Sequence, residues 1–566
     1  MTRIPAHRGS IYDAKGRLLA YDSLLYEAWL DLEFIRRNAS ESELELLLKN
    51  ISDYFAFPKE EVLKKINSDS YFMLLGKSNN LDEMMRKITP VVRKYISIEL
   101  NTERLSLKEY GLSKIVGSLD GSGRALSGIE KSYDNVLRGK KDGYVRKTLT
   151  GTLKVNPEDG NDVYLSIDLD LQKMVYDVLS KGVRKNKADG GIAILMESKT
   201  GKILAYANTY DWDVGLMGIF EPGSTIKPII YGIALETFSI TEESTFLCNG
   251  IIQPIEGLDI FIRDTEGEKH GIETFRDAIR NSCNVATTQV ARAILNNIGK
   301  SEFYRKLIEA GFGRKTGVDL YGEIKGLFQA PSDWSLISPY QFAIGQGIGV
   351  TIFQLLRALN TYAADGNLLI PSFVKAVGNG TEIREIPPKI ESRIFSSKLV
   401  KTMIPVLESV VASGTGTRAQ VEGLRIGGKT GTAQKATESG YSYSDYYSLF
   451  WGFFPVDAPK YSLLVMIDNP RAGEYYGGTV AGPIFSEIVK NIYGLHEETP
   501  EPKHEIYSWK TPQLIGYTLH DVIEIKELLG IEKLKIHGTG RVVKQLPEAG
   551  APLKPVLEVW LSTEEK

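Results

Sequence analysis

At 566 residues the chain is too long for one hydrophobic core, and three or four domains are expected. Its 42% hydrophobic and 25% charged residues are those of globular protein, and a net charge of −3 gives no footprint for nucleic acid or an anionic membrane. The two cysteines, Cys248 and Cys283, form no Cys-x-x-Cys and no metal-ligand spacing, so neither a disulfide framework nor a metal or other cofactor is expected.

No apolar run reaches the roughly 18 residues needed to cross a bilayer. The chain opens almost inside a motif, Arg8-Gly9-Ser10-Ile11-Tyr12-Asp13, which reads as a sequence trimmed of a preceding segment. Residues 1–160 mix short strands with charged helices and read as a structural platform. Ser40-Glu41-Ser42-Glu43 is a capping box opening a helix that carries Leu44, Leu47 and Leu48. Pro58 is expected at the first position of a second short helix through Val62, Leu63 and Ile66.

From Asp168 the texture changes. Leu171, Met174, Val175, Val178 and Leu179 form a helical stripe. Residues 191–196 and 202–207 are two apolar strands joined by Lys199-Thr200-Gly201. Helices dominate from Ser224 to about Ala364, strands return at 424–435, 446–455 and 461–469, and a helix at 479–493 closes the unit. Strands, then helices, then strands predict an α+β domain over 161–496 with a mostly antiparallel sheet. Residues 497–506 are a Pro- and charge-rich linker. In the small module 507–566, a helix from Thr518 buries Leu519, Val522, Leu528 and Leu529 and stops at Gly530. Its closing strand alternates Leu557, Val559 and Leu561 with Glu558, Trp560 and Ser562.

Three motif readings compete for the chemistry. Gly423–Thr430 fits the P-loop pattern, yet no apolar strand precedes it and no helix follows, so no helix N-terminus faces a phosphate. A Ser-His-Asp hydrolase lacks its Gly-x-Ser-x-Gly elbow. Of the six histidines only His270 lies within the body of the central domain, His496 being its last residue; His270 is in a charged loop where a surface histidine is expected. The third reading uses lysine as base. In Glu221-Pro222-Gly223-Ser224-Thr225-Ile226-Lys227-Pro228 a turn precedes an apolar helix. That puts Ser224 at the helix N-terminus and Lys227 beside it on one face.

Ser-x-x-Lys recurs at Ser372–Lys375, in loop entering strand. Lys-Thr-Gly occurs at Lys199, Lys315 and Lys429. The first lies in a hairpin turn and the second in a Gly-rich connection, whereas Lys429-Thr430-Gly431-Thr432 opens a strand. Ser-x-Asn occurs as Ser78-Asn79-Asn80, a platform turn, and as Ser282-Cys283-Asn284 between two helices. Each piece is cheap alone; the order Ser224–Lys227, Ser282–Asn284, Lys429–Thr432 in one domain is specific. Cys283 and Cys248 read as packing residues. The aromatic run Tyr443, Tyr446, Tyr447, Phe450, Trp451, Phe453 and Phe454 reads as strand core rather than cleft lining.

That ordered triple resembles the penicillin-binding protein and serine β-lactamase superfamily. Arg8–Asp13 with Gly16, Leu19 and Ala20, and Gly128-Ile129-Glu130 with Tyr133, Leu137 and Gly139, resemble the opening and closing motifs of the class B pedestal. Tyr476-Gly477-Gly478-Thr479-Val480-Ala481 resembles the division and spore-cortex transpeptidases, and the last sixty residues resemble one PASTA module. Arg104-Leu105-Ser106-Leu107-Lys108 departs from the family's Arg-x-Tyr-Pro stretch, and nothing resembles a glycosyltransferase domain.

The resemblance implies a pedestal over 1–160, a transpeptidase domain and a PASTA module. It also implies a D,D-transpeptidase that joins a D-Ala-D-Ala donor stem peptide to an amine acceptor and is acylated by β-lactams. Ser224 is the implied nucleophile, Lys227 its base, Ser282 the proton relay and Asn284 the holder of the donor amide. Lys429, Thr430, Gly431 and Thr432 are implied for the substrate carboxylate, and the Ser224 and Thr432 N–H groups for the oxyanion. Implied too are a membrane anchor absent from this chain, an extracytoplasmic location, and a glycosyltransferase and other wall-synthesis proteins as partners. The rival readings are a D,D-carboxypeptidase or β-lactam hydrolase, and a non-catalytic wall-binding scaffold or β-lactam sensor.

Overall fold

Gly190–Glu197 and Tyr461–Asp468 are near-continuous apolar runs, and the structure buries them on both faces, as the middle strands of a covered sheet must be. In this computed structural model, which describes residues 2–148, 151–379, 382–437, 440–494, 511–517, 519–529, 531 and 533–562, they are central to a five-stranded antiparallel sheet. Its order is Ile203–Asn208, Gly190–Glu197, Tyr461–Asp468, Gly440–Phe454, Gly427–Thr437. The Lys-Thr-Gly strand is therefore an edge, with one side of its backbone open to a partner.

Helices Leu169–Lys185 and Gly477–Ile492 cover one face, packing Val175 and Leu179 with Ile484, Phe485 and Ile488 against Leu195, Val465 and Ile467. The other face carries the helical region, where Ile229, Ile230, Val290, Leu356 and Met403 join Ile194, Leu464 and Trp451 in the main core. Phe450, Trp451, Phe453 and Phe454 are fully buried, so that part of the aromatic run packs core as expected; Tyr446 and Tyr447 are half-buried, and the Tyr443 side chain lies outside the described ones.

In the pedestal, Leu18–Asp31 runs antiparallel to Ile96–Ser106 and Phe72–Ser78. Its sheet continues through Ile11–Tyr12 and Asp162–Leu165 to Val374–Gly378. A strand that follows the nucleophile by 150 residues thus belongs to the platform's sheet, tying the two together by backbone hydrogen bonds. The capping box at Ser40 is present, opening Glu41–Phe55. Pro58 is the N-cap of Lys59–Ile66, one position earlier than the sequence predicts. Arg104, in the stretch that departs from the family pattern, donates to Glu130, to Asp22 and to the Gly9 carbonyl, and Arg8 donates to Glu130 and Asp134. That network of nearly buried charges joins the opening and closing motifs.

The C-terminal module is a three-stranded sheet, Lys533–Gly538, Val556–Ser562, Arg541–Leu546, with helix Leu519–Leu528. Leu557 and Val559 are fully buried with Val522, as the alternation predicts. The linker 497–506, Thr518, Gly530 and the Leu528 side chain lie outside the described residues. The module docks on the pedestal: Gln513 donates to the Asn79 carbonyl, and Leu529 packs on Tyr12, Leu18 and Tyr21.

Candidate active site

Pro222-Gly223 turns the chain into a short 3-10 segment, Gly223–Ile226, and the α-helix proper is Lys227–Glu236 with Pro228 in its first turn. Ser224 therefore lies in a 3-10 turn rather than at the α-helix terminus. The change strengthens the pairing, because residues three apart eclipse one another in a 3-10 turn. Gly223 has φ +52, and a Cβ there would meet the Thr432 carbonyl oxygen at 2.6 Å. A Cβ on Gly431 would meet Thr225 Cγ2 at 2.5 Å. Two glycines thus let the nucleophile's turn lie directly against the open edge of the Lys-Thr-Gly strand. The Thr432 carbonyl faces that turn. In an extended strand a residue's N–H and C=O point to the same side, so the Thr432 N–H opens there as well.

Lys227 is fully buried. Its Nζ donates to Asn284 Oδ1 at 2.8 Å, to the Ser282 carbonyl, and to Ser282 Oγ at 3.4 Å. Lys429, also fully buried, donates from Nζ to Ser282 Oγ at 2.9 Å and to Thr430 O at 3.1 Å. One hydroxyl thus stands between two amines, and Ser282 holds it there from a left-handed backbone, φ +61, a costly conformation for a residue with a side chain. The amines' hydrogen-bond partners are hydroxyl, carbonyl and amide oxygens, not carboxylates.

Desolvation lowers the Lys227 ammonium to about 8, while Asp264, Cys283 and Glu273 work to raise it. Burial, with the Lys227 charge added, pushes Lys429 well below its ordinary value. Loss of water is the dominant cause for both amines.

Asn284 is engaged at both ends of its amide. Oδ1 accepts from Lys227, and Nδ2 donates to the Arg263 carbonyl at 3.1 Å. Thr430 Oγ shares a hydrogen bond of 2.7 Å with Thr415, and Thr432 Oγ accepts the Gly477 N–H at 3.0 Å. The structure thus brings Lys227, Ser282, Asn284 and Lys429 together, with the turn that carries Ser224 lying against the Lys429–Thr432 strand.

It adds residues that no motif marks. Thr415 braces Thr430. Asp264, 5% exposed, accepts the Asn284 N–H at 3.0 Å. Burial works to raise the Asp264 carboxyl, but hydrogen bonds from Cys283 and the Asn284 N–H, with the Lys227 charge, hold it below the ordinary range. His270 is not a surface histidine: its side chain is 16% exposed and its ring lies beside Cys248, Asp264 and Glu268. Cys283 packs, as expected, but is also the N-cap of Asn284–Glu309, its sulfur accepting the Ala286 N–H at 3.2 Å. Both cysteines are free and buried.

A helix-flanked antiparallel sheet whose edge strand, Lys-Thr-Gly, faces a serine with two buried amines around a second serine is the frame of an active-site serine acyltransferase. Comparison with known proteins agrees. Residues 191–490 match the penicillin-binding protein transpeptidase domain, and residues 3–165 the penicillin-binding protein dimerisation domain.

The Stage V sporulation protein D of Bacillus subtilis is 30% identical over 80% of this chain and 75% of its own. A peptidoglycan D,D-transpeptidase FtsI of Buchnera aphidicola is 31% identical over 86% of each. The penicillin-binding protein 3 of Mycobacterium tuberculosis, solved with aztreonam, superposes with a TM-score of 0.65 at 25% identity, covering 88% of this chain and 98% of that one. The chain belongs to the class B penicillin-binding proteins, with a dimerisation-type pedestal and a serine transpeptidase domain.

Proposed function

We propose that Ser224 carries the acyl-enzyme of a peptidoglycan D,D-transpeptidase, with Lys227 as its base and Ser282 as the proton relay. The observation that carries this reading is the Ser282 hydroxyl, 3.4 Å from Lys227 Nζ and 2.9 Å from Lys429 Nζ. With both amines donating to its lone pairs, the hydroxyl hydrogen is left for the cleft. A neutral Lys227 takes the Ser224 proton as Oγ bonds to the carbonyl carbon of the penultimate D-Ala. Ser282 passes a proton to the departing amine as the C–N bond to the terminal D-Ala breaks. The acceptor's amine then attacks the ester, forms the cross-linking amide, and Ser224 recovers its proton.

The N–H groups of Ser224 and Thr432 hold the oxyanion. Lys429 with the Thr430 and Thr432 hydroxyls, over Gly431, receives the donor carboxylate. Asn284 holds Lys227 in the free enzyme, and rotation of its amide serves the donor peptide. β-Lactams acylate the same serine. The last sixty residues act as a PASTA module docked on the pedestal. Among the described residues no helix is long and apolar enough to cross a membrane. The reading places the chain on the extracytoplasmic face of a membrane to which it is anchored, beside a glycosyltransferase and other wall-synthesis proteins.

The test incubates the protein with a stem peptide ending in D-Ala-D-Ala and an amine acceptor, then identifies products by mass. A cross-linked dimer that disappears in Ser224→Ala is expected. Free acid alone makes the enzyme a carboxypeptidase, and acylation without turnover makes it a sensor; either rejects the transpeptidase reading.

A further inference from the structure

Beside the Ser282–Asn284 turn lies a group of side chains that acyl transfer does not use. Cys248 ends the strand Thr245–Cys248, paired in register with Gly271 next to His270. Asp264 follows the strand Ile262–Arg263, and Cys283 caps the helix Asn284–Glu309. One ligand atom from each of Cys248, Asp264, His270 and Cys283 lies within 4.8 Å of all the others. Cys248 Sγ is 3.3 Å from Asp264 Oδ2 and 3.5 Å from His270 Nδ1. His270 Nδ1 is 3.3 Å from Asp264 Oδ2. Zinc bonds of about 2.0–2.3 Å in a tetrahedron set its ligand atoms roughly 3.3–3.8 Å apart. The three distances fall on those edges.

The surroundings are those of a metal site too. His270 Nε2 lies 3.3 Å from Glu268 Oε2, so the second ring nitrogen has a carboxylate to orient it. Asp264 Oδ1 takes the N–H groups of Thr265 and Asn284, which leaves Oδ2 turned toward the sulfurs. Glu273 Oε2, buried without a hydrogen-bond partner, lies 3.9 Å from His270 Nδ1.

We propose that Cys248, Asp264, His270 and Cys283 bind one zinc ion that fixes the Ser282-Cys283-Asn284 turn. Two sulfurs and an imidazole select zinc over magnesium or calcium, and four protein ligands leave no open position, so the ion is structural. Each thiol releases its proton on binding. The ion clamps the residue between Ser282 and Asn284, and through Asp264 it also holds the Asn284 backbone. It thereby positions both partners of Lys227 Nζ and supports the left-handed Ser282.

The test uses the full chain, kept reduced, stripped with a chelator and titrated with zinc alone. One zinc per chain is expected by elemental analysis. Cobalt(II) in its place should give a thiolate-to-cobalt charge-transfer band and the visible intensity of a tetrahedral site. Cys248→Ser, which leaves one thiolate, weakens the band, and His270→Ala lowers the tetrahedral visible intensity and the zinc affinity. Should either fail to fold, Glu268→Gln, which leaves all four ligands, weakens zinc binding about 10–100-fold. Stripping slows acylation by fluorescent penicillin, and zinc restores it. A reduced chain that still labels with penicillin yet binds under about a tenth of an equivalent overturns the site, as does a Cys248–Cys283 disulfide. Zinc binding untouched by Cys248→Ser overturns the ligand set, and acylation indifferent to stripping overturns the positioning role. Metal content is read without any turnover, so the transpeptidase reading stands or falls separately.

Discussion

The chain contains the pattern Ser-x-x-Lys at 224–227 and again at 372–375, and the two have nothing in common but spacing. At the first, a 3-10 turn stacks residues three apart on one face, and Lys227 is fully buried among neutral oxygens. At the second, Lys375 lies in the strand Val374–Gly378, where residues three apart face opposite sides of a sheet. Ser372 Oγ donates to Asp319 at 3.0 Å, while Lys375 Nζ donates to the Ala14 carbonyl of the pedestal. Asp319 also accepts from Tyr133 Oη at 3.1 Å, so this pair pins the platform to the catalytic domain. Spacing becomes chemistry only through the secondary structure that carries it. Ser78-Asn79-Asn80 repeats the lesson: its serine ends a strand, its last asparagine caps a helix, and its middle residue receives the C-terminal module.

The sharpest way to break the contrast is to remove each serine. Ser224→Ala should abolish covalent labelling by fluorescent penicillin, and Ser372→Ala should leave it intact; labelling of Ser224→Ala would overturn the assignment of the nucleophile. The lysines come next. Lys227→Met should slow acylation by about 10²–10⁴-fold, the range for a lost general base, with the mass of any adduct still on Ser224. Lys375→Met should change the rate little, because its amine bonds a carbonyl outside the cleft. Equal effects in stopped-flow acylation would end the distinction.

A smaller effect tests why Lys227 can serve as base. Burial lowers its ammonium to about 8, and only the neutral amine accepts a proton. The acylation rate should therefore rise about tenfold per pH unit below that value and level off above it. A rate that is flat from pH 6 to 9 would mean that the base is another group.

Much of this was legible in the sequence because it is local. The runs 191–196, 202–207 and 461–469 need no tertiary information to read as strands, and the Leu557, Val559, Leu561 alternation shows its buried face directly. The nucleophile, relay and strand motifs were found because their order along the chain is specific. Convergence was not legible. Asp264, Glu273 and Thr415 carry no pattern of their own; Asp264 and Thr415 reach the site from loops, and Glu273 from the strand Gly271–Thr274, whose courses are set by packing. His270 looked like a surface residue because its neighbours Glu268 and Lys269 are charged, yet pairing of the adjacent Gly271–Thr274 strand with Thr245–Cys248 sets its ring beside Cys248.

The smallest expected effect concerns the structural serine. Asp319 is buried, which raises its carboxyl, and the N–H groups of Phe373 and Val374 with the hydroxyls of Ser372 and Tyr133 work in the opposite direction. Ser372→Ala removes one donor to a charged acceptor and should cost about 1.5–3 kcal/mol in urea unfolding, with penicillin labelling of the folded protein unchanged. The hydroxyl favours the ionised carboxylate, so its loss raises the Asp319 value further. The sign follows: the cost is greatest where Asp319 is ionised in the parent, above its raised value, and shrinks in acid, where the carboxyl carries its own proton. Because its value is raised, the parent gains stability as Asp319 takes up its proton, so Asp319→Asn, which does not titrate, should lose ground to the parent as pH falls. A Ser372→Ala cost that is the same at both ends of that range would mean that the hydroxyl only fills space, and that the pin between pedestal and catalytic domain is made by the backbone strand alone.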